Sequence, residues 1–501
     1  MNSKFVELKK RLAVVSDLHN VVGLLGWDQQ TYMPPKGARA RADHLATLER
    51  LAHEHFTDEQ VGKLLDDLAD DASNYAYDSD EASLIRVTKR DYDKAKRLPA
   101  DFVEKLAHAT TIAYEEWHKA RAASNFKMFQ PHLEKIVELK IQEANYLGYT
   151  ERIYDALLDQ YEPQMTTAQV ETIFTPLKKE LIAFVSALAQ KSDAVDDAVL
   201  RREYDEQKQW DFGIEVIQQL GFDFQSGRQD KSVHPFTSGF SLGDVRITTR
   251  VDKNFLSTML FGTIHEAGHG LYDLGYRLEL ERSPLEGGAS LGAHESQSRL
   301  WENLVGRSRG FWKFWFPRLQ QIFPAQLADQ NVESFYRAIN RVQSSFIRVE
   351  ADEVTYSLHI MLRFELENML VERKLKVADL PDAWNAKTQE YLGIVPPDDA
   401  RGCLQDVHWS IGSIGYFPTY SLGSMFAVQL WESALKDIPD LPAQIEKGKF
   451  AELLGWLRKN LHAHGRKFTL NELAHRITGE PLQSRSYVKY LKHKFGEIYG
   501  I

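Results

Sequence analysis

His265-Glu266-Ala267-Gly268-His269 is the stretch of this 501-residue sequence whose residue types and spacing most directly imply chemistry. On a helix, residues four apart share a face, so both imidazoles can converge on one divalent ion at about 2.0–2.1 Å, with Glu266 beside them. Such a set performs hydrolysis. The ion polarises a carbonyl and acidifies a water, and the glutamate takes the proton as general base. A chain of this composition shows H-E-x-x-H by accident roughly one time in twenty-five, so the surroundings must carry the argument. Here they do, because a charged glutamate inside so apolar a helix otherwise lacks a reason to be buried.

A hydrolytic zinc site keeps three protein ligands and one open position. Glu279 and Glu281 follow Gly275 too soon for a returning helix, and Glu286 lies beside Gly287 and Gly288 in the expected connecting loop. Glu295 comes 26 residues after His269, a length that suits helix, loop and antiparallel return. It is the expected third ligand, and Glu302, seven residues further on the same stripe, is its rival. The expected cofactor is one Zn²⁺ per chain, although Co²⁺ or Mn²⁺ suits two histidines and a carboxylate with similar ease. His294 is expected to support the ligands from behind. His462 and His464, two apart, cannot share a helix face and are given no metal.

The elements that must position these groups are mostly helices. Phe5, Leu8, Leu12, Val15, Leu18 and Val22 recur at helical steps, as do Leu133, Ile136, Val137 and Ile141. Proline ends such runs at Met33-Pro34-Pro35-Lys36-Gly37 and at Leu98-Pro99. The exception is 226–251, rich in Gly and Ser, whose Asp244 to Val251 portion alternates as a short strand does. An extended peptide could align along the edge of that strand. The motif helix follows, with Asp252 or Asn254 as its expected N-cap. The acidic stretch from Asp66 to Glu81, including Asp70, Asp71, Asp78 and Asp80, reads as a solvated helix face and loop, since no glycine-turned calcium loop is present. Phe311-Trp312-Lys313-Phe314-Trp315-Phe316, closed by Pro317, reads as core or subunit contact. No linker or repeat divides the chain, so a single mainly α unit is expected over 1–501: a helical part to about 225, a strand and metal part over about 226–430, and C-terminal helices over about 431–501.

Composition narrows the partners. Lys and Arg number 61 against 71 Asp and Glu, leaving a net charge of −10 and no basic field for nucleic acid. Cys403 is the single cysteine, which suits a reducing compartment and points to the cytoplasm. No run of 18 apolar residues offers a membrane span.

The motif set resembles the carboxypeptidase Taq family of zinc metallocarboxypeptidases. H-E-A-G-H is followed by His294-Glu295-Ser296-Gln297, matching the family's H-E-S-Q. His234-Pro235-Phe236 matches H-P-F, Asp244 to Thr248 matches D-x-R-x-T, Ile347 to Asp352 matches I-R-x-x-A-D, and Gly402 to Trp409 matches G-x-x-Q-D-x-H-W. The resemblance implies removal of single residues from free peptide C-termini with broad tolerance, a helical body with a deep groove and a few short strands, and a homodimer. It also implies kinship of fold with angiotensin-converting enzyme and the neurolysin-like oligopeptidases, which hold a histidine and a tyrosine above the metal. His408 and Tyr420 are the matching pair, with Tyr416 as the rival tyrosine.

An exopeptidase acting at a C-terminus must read a carboxylate, and a planar guanidinium does so with two parallel hydrogen bonds. Arg348 is the first candidate and Arg246 the second. Asp352 could hold the Arg348 fork, or simply form an i, i+4 ion pair with it. His234 and Gln405 are expected at the substrate, Phe236 either there or in the core, and Asp406 as the partner of an imidazole. The competing readings are a zinc oligopeptidase or endopeptidase on the same fold, and a helical scaffold that binds peptide without turnover.

Overall fold

The computed structural model describes residues 3–72 and 74–501; Met1, Asn2 and Ser73, and the side chains of Asp71 and Ala72, lie outside it. Helices build most of the chain, as their apolar periodicity predicts. The first, Ser3–Thr31, buries Phe5, Leu8, Leu12 and Val15 and leaves Leu18 and Val22 half-buried. Both proline signals separate helices: Pro35–Gly37 is a short turn before Ala38–Phe56, and Pro99 parts Asp80–Arg97 from Ala100–Ala122.

Two apolar cores result. The smaller joins Phe5, Leu8 and Leu12 to Leu64, Leu65, Leu84 and Ile85, and takes in Leu280 and Leu285 from the segment after the motif helix. The larger runs through the rest of the molecule and includes Phe311, Trp312, Trp315 and Phe316, so the aromatic run belongs to the core. Among the described residues no helix is long and apolar enough to cross a membrane. Asp66 and Asp67 are exposed as expected, but Asp78 and Asp80 are not merely solvated. Asp80 accepts from Arg277 at 2.5 Å and Asp78 from Arg476 at 3.0 Å, tying this stretch to later parts of the chain.

Three strands occur among the described residues: β1 (Gly227–Lys231), β2 (Thr237–Ser241) and β3 (Asp244–Thr249). Their order is β1-β3-β2, with β3 parallel to β1 and antiparallel to β2. The predicted strand therefore forms, two residues shorter than expected, but it is central. Its two edges are both paired, so a peptide has no free edge of β3 to align along. Ile247 points into the main core and Val245 is fully buried, as suits the central strand of the three.

The motif helix is Leu256–Asp273 and packs against the sheet. Phe255 is its N-cap and makes no side-chain capping bond. The expected caps are used otherwise: Asp252 Oδ1 accepts the Asn254 N–H at 2.8 Å, closing a turn just ahead of the helix.

Candidate active site

Two glycines decide how closely the elements of the site approach. A Cβ on Gly268 would lie 2.7 Å from Gln297 O and Ser298 Cα, and one on Gly423 would lie 2.7 Å from Glu295 Cβ and Gly292 O. The helix Leu291–Arg299 is thereby gripped between the motif helix and the helix Pro418–Asp437. Its first turn is fixed by Ser290, whose Oγ accepts the Ala293 N–H at 3.0 Å, and by buried Glu162, whose Oε2 accepts the Gly292 N–H at 3.1 Å.

This packing brings three expected ligands together. Ligand atoms of His265, His269 and Glu295 all lie within 4.8 Å of one another. Glu295 Oε2 is 3.6 Å from His265 Nε2 and 3.5 Å from His269 Nε2. The Nδ1 atoms point the other way. His265 Nδ1 meets Glu302 Oε2 at 2.9 Å, while His269 Nδ1 meets His294 Nδ1 at 2.6 Å, and His294 Nε2 meets Asp273 Oδ1 at 2.9 Å. These partners select the tautomers with a proton on Nδ1 of both histidines, leaving the Nε2 lone pairs facing Glu295. Two imidazole nitrogens and a carboxylate oxygen so arranged fit a divalent cation. Glu302, the rival ligand, stands behind His265 instead.

Two cationic side chains neutralise this acidic cluster. Arg299 donates from Nε to Glu295 Oε1 at 2.7 Å and from Nη1 to Glu302 Oε2 at 3.2 Å, and its guanidinium lies 4.2 Å from the Tyr356 ring centre. The second, Arg307, donates to Glu302 Oε1 at 3.2 Å. Burial acts to raise the pKa of Glu295, but Arg299 and the two histidines outweigh it and hold the carboxyl far below its usual range. Against the same burial, Arg299, His265 and Arg307 hold Glu302 at about 2. Both acids are ionised at neutral pH. Glu266, buried on the motif helix, receives the Thr237 hydroxyl of β2 on Oε2 at 2.7 Å.

His408 and Tyr420 also meet, Nε2 to the phenol oxygen at 3.1 Å. Tyr416 is packed 5.2 Å from both rings, so the rival tyrosine belongs to the same cluster. Phe417 covers the imidazole at 4.4 Å. Burial, with Arg348 and Arg363 nearby, pushes the His408 pKa down to about 3, so the ring is neutral. Burial raises the pKa values of both tyrosines, and the nearby charge of Glu295 adds to it.

The sequence is matched over residues 7–495 by the family model of the carboxypeptidase Taq (M32) metallopeptidases. The chain belongs to the M32 family. It is similar to carboxypeptidase 1 of Bacillus subtilis (37% identical, covering 99% of this chain and 98% of that one) and to thermostable carboxypeptidase 1 of Thermus thermophilus (39%, covering 99% and 98%). Its structure is similar to that of the M32 carboxypeptidase from Deinococcus radiodurans, with a TM-score of 0.96, 40% identity and full coverage of both chains. The protein is thus a metallocarboxypeptidase with the mainly helical M32 fold.

Several M32 motif residues make contacts other than those expected. Asp406 does not orient an imidazole. Its Oδ1 accepts from Arg348 Nε at 3.0 Å and Nη2 at 2.9 Å, and its Oδ2 from Arg363 Nε at 2.7 Å. Asp352 does not hold Arg348 either. Residues Arg348–Glu350 form only a short 3₁₀ turn, so the assumed α-helical spacing is absent, and Asp352 Oδ1 instead closes the turn ahead of the next helix, accepting the Val354 and Thr355 N–H groups at 2.9 and 3.0 Å. Gln405 has no amide capacity left for substrate. Its Oε1 accepts the Arg348 N–H and Arg363 Nη2, both at 2.8 Å, and its Nε2 donates to the carbonyls of Phe346, Arg401 and Gly402. Arg246 is likewise committed, forked onto Asp244 by two bonds of 2.8 Å and lying 4.3 Å from the Trp27 ring centre.

Arg348 itself is buried, with Nη1 donating to Tyr356 OH at 2.9 Å and its guanidinium 5.0 Å from the Tyr420 ring centre. His234 is exposed in the loop between β1 and β2; burial of part of its ring and the charges of Arg250 and Arg121 lower its pKa. Phe236 is half-buried, its N–H donating to Thr248 Oγ1 at 2.9 Å. His462 is buried against the H-E-S-Q element, where its Nε2 meets Gln297 Oε1 at 2.9 Å. Thr237, Arg299, Arg363 and Tyr356 were not singled out by the sequence. Only Thr237 left a trace there, as the polar residue directly after H-P-F.

Proposed function

We propose that this M32 carboxypeptidase carries one Zn²⁺, held by His265, His269 and Glu295, and releases single residues from free peptide C-termini with broad tolerance. The observation that carries this reading is the convergence of two Nε2 atoms and one carboxylate oxygen within 4.8 Å, with Glu266 on the same helix. Mixed nitrogen and oxygen donors suit Zn²⁺, Co²⁺ or Mn²⁺ better than an all-oxygen cation such as Mg²⁺. When bound, the ion would supply Lewis-acid polarisation of the scissile carbonyl and lower the pKa of a water.

The side chains supply the rest. Thr237 ties down Glu266 Oε2, so Oε1 takes the proton of the attacking water and hands it to the departing amine. Tyr420 and neutral His408 donate to the carbonyl oxygen as it gains charge. Arg348 reads the terminal carboxylate with the N–H groups that Asp406 and Tyr356 leave over, and Gln405 and Asp406 act on substrate only through it. The extended peptide runs along β2, the edge strand whose Thr237 touches Glu266, and main-chain pairing there accounts for tolerance of side chains. His234 lies on the loop entering that strand. A homodimer in the cytoplasm, with no nucleic-acid partner, completes the reading.

One assay tests it. Peptides with free and amidated C-termini are incubated with and without chelator, and the products weighed. Single-residue loss from free termini alone, abolished by chelation and by Glu266→Gln with zinc still bound, is expected. Internal cleavage indifferent to amidation would make the enzyme an oligopeptidase and remove the role given to Arg348.

A further inference from the structure

An imidazole that donates to a reacting oxygen is commonly aimed by a hydrogen bond to its other nitrogen. His408 is not. Its Nδ1 is buried and has no hydrogen-bond partner among the described residues. Something else must fix the ring, and the residues on either side of it are held by one helix. On Tyr356–Val371, Arg363 and Glu367 are four apart and share a face. Arg363 grips Asp406, two residues before His408. Glu367 Oε1 accepts from Nε1 of Trp409, the residue after His408, at 2.8 Å. Its Oε2 accepts the N–H of Gly415, the residue before Tyr416, at 3.1 Å and the hydroxyl of Tyr154 at 2.7 Å.

The segment from His408 to Tyr416 is thus pinned at both ends by one carboxylate. It is shaped to allow this. Gly415 adopts φ +100°, and a Cβ there would lie 2.7 Å from the Leu157 backbone, so the chain is pressed against its neighbour where Glu367 takes its N–H. Ser413 N donates to His408 O at 2.8 Å, closing the loop on itself. Glu367 is fully buried, and all three of its neighbours donate to it. Burial of a carboxylate without a directly bound cation is costly, which asks for a function beyond filling space.

We infer that Glu367 is a positioning residue for the peptidase reaction: by holding Trp409 and Gly415 on its two oxygens it sets the place of His408 over the scissile carbonyl and of Tyr416 packed beside it. The inference rests on the assignment of His408 to carbonyl contact. Glutamine at 367 cannot do the same, because it has one acceptor oxygen and one NH₂. With the oxygen towards Tyr154 and Gly415, the NH₂ faces the Trp409 N–H, donor against donor. Removing that N–H with Trp409→Phe relieves the conflict.

The test uses the full-length, metal-loaded enzyme and compares His408→Ala, Glu367→Gln, Trp409→Phe and Glu367→Gln/Trp409→Phe for kcat, KM and bound metal. Glu367→Gln should lower kcat by about tenfold or more with KM within about twofold and full metal content, as expected for a reacting group misplaced by a fraction of an ångström. The double variant should recover part of that loss. Wild-type kcat in Glu367→Gln while His408→Ala is impaired overturns the inference alone; full activity of His408→Ala removes the assignment beneath it. A kcat loss in Glu367→Gln that the double variant does not relieve marks Glu367 as structural only, and overturns the inference too. Should Glu367→Gln not fold, Trp409→Phe carries the decision: a lowered kcat at constant KM supports the pinning, and an unchanged kcat overturns it.

Discussion

Glu302 meets the Nδ1 of His265 at 2.9 Å, on the side of the ring away from Glu295. The residue that the sequence offered as a rival ligand therefore bonds to an expected one. Carboxylates in this position orient the ring and raise its basicity. Glu302→Gln should weaken metal affinity by about 10- to 100-fold, read by competition with a chelator of known affinity. Affinity equal to wild type would mean that the pairing does nothing for the site.

Thr237 tests the general base from its other side. Thr237→Val keeps the shape of the side chain and removes the hydroxyl that fixes Glu266 Oε2. With zinc still bound, kcat should fall by about tenfold while KM changes little, because a loosened base spends less time aligned. An unaltered kcat would show that Glu266 needs no such anchor.

Gly268 makes a stability prediction that should appear in metal binding as well. Its added Cβ would meet backbone atoms of the Glu295 helix at 2.7 Å, and backbone cannot turn aside as a flexible side chain can. Gly268→Ala should cost about 1–3 kcal/mol and weaken the ion's hold, since the two ligand-bearing helices must separate. Unfolding midpoints with and without zinc give both numbers. A normal midpoint with normal zinc affinity would mean the helices do not need this approach.

The pH dependence follows from His408. Its folded-state pKa is about 3, below the ordinary imidazole value, so the unfolded chain takes up a proton that the folded one refuses. The contribution of this group to stability is present above about pH 6.5 and is lost as pH falls towards 3. Between pH 7 and pH 5 the wild type should lose about 2 kcal/mol more than His408→Asn, whose side chain does not titrate there. Urea unfolding of both proteins at the two pH values measures the difference, and parallel losses would refute it.

The candidate metal ligands were legible because helical periodicity turns spacing into geometry. Four residues separate His265 from His269 on one face, and the interval to Glu295 leaves room for one return. Pairings between distant segments were not legible. Nothing local joins Arg348 to Asp406, Thr237 to Glu266 or Glu367 to Trp409, since each depends on how separate elements pack. Asp352 departs for the opposite reason: i, i+4 spacing brings side chains together only on an α-helix, and the chain makes a 3₁₀ turn there. The strand at Asp244 was visible in its alternation, but alternation does not say which strands lie beside it. That is why β3 was expected at an edge and stands in the middle.

The helix that carries Glu295 is held by Glu162, Gly268, Gly423 and, through Gln297, His462, contacts drawn from widely separated stretches of the polypeptide. A chain lacking the segment from His462 onward would leave Gln297 Oε1 without its partner, and one lacking Gly423 would have no second wall behind Glu295. The site is therefore assembled from segments that reach from Glu162 to His462, and no short stretch of the chain carries all the contacts that hold Glu295 in place.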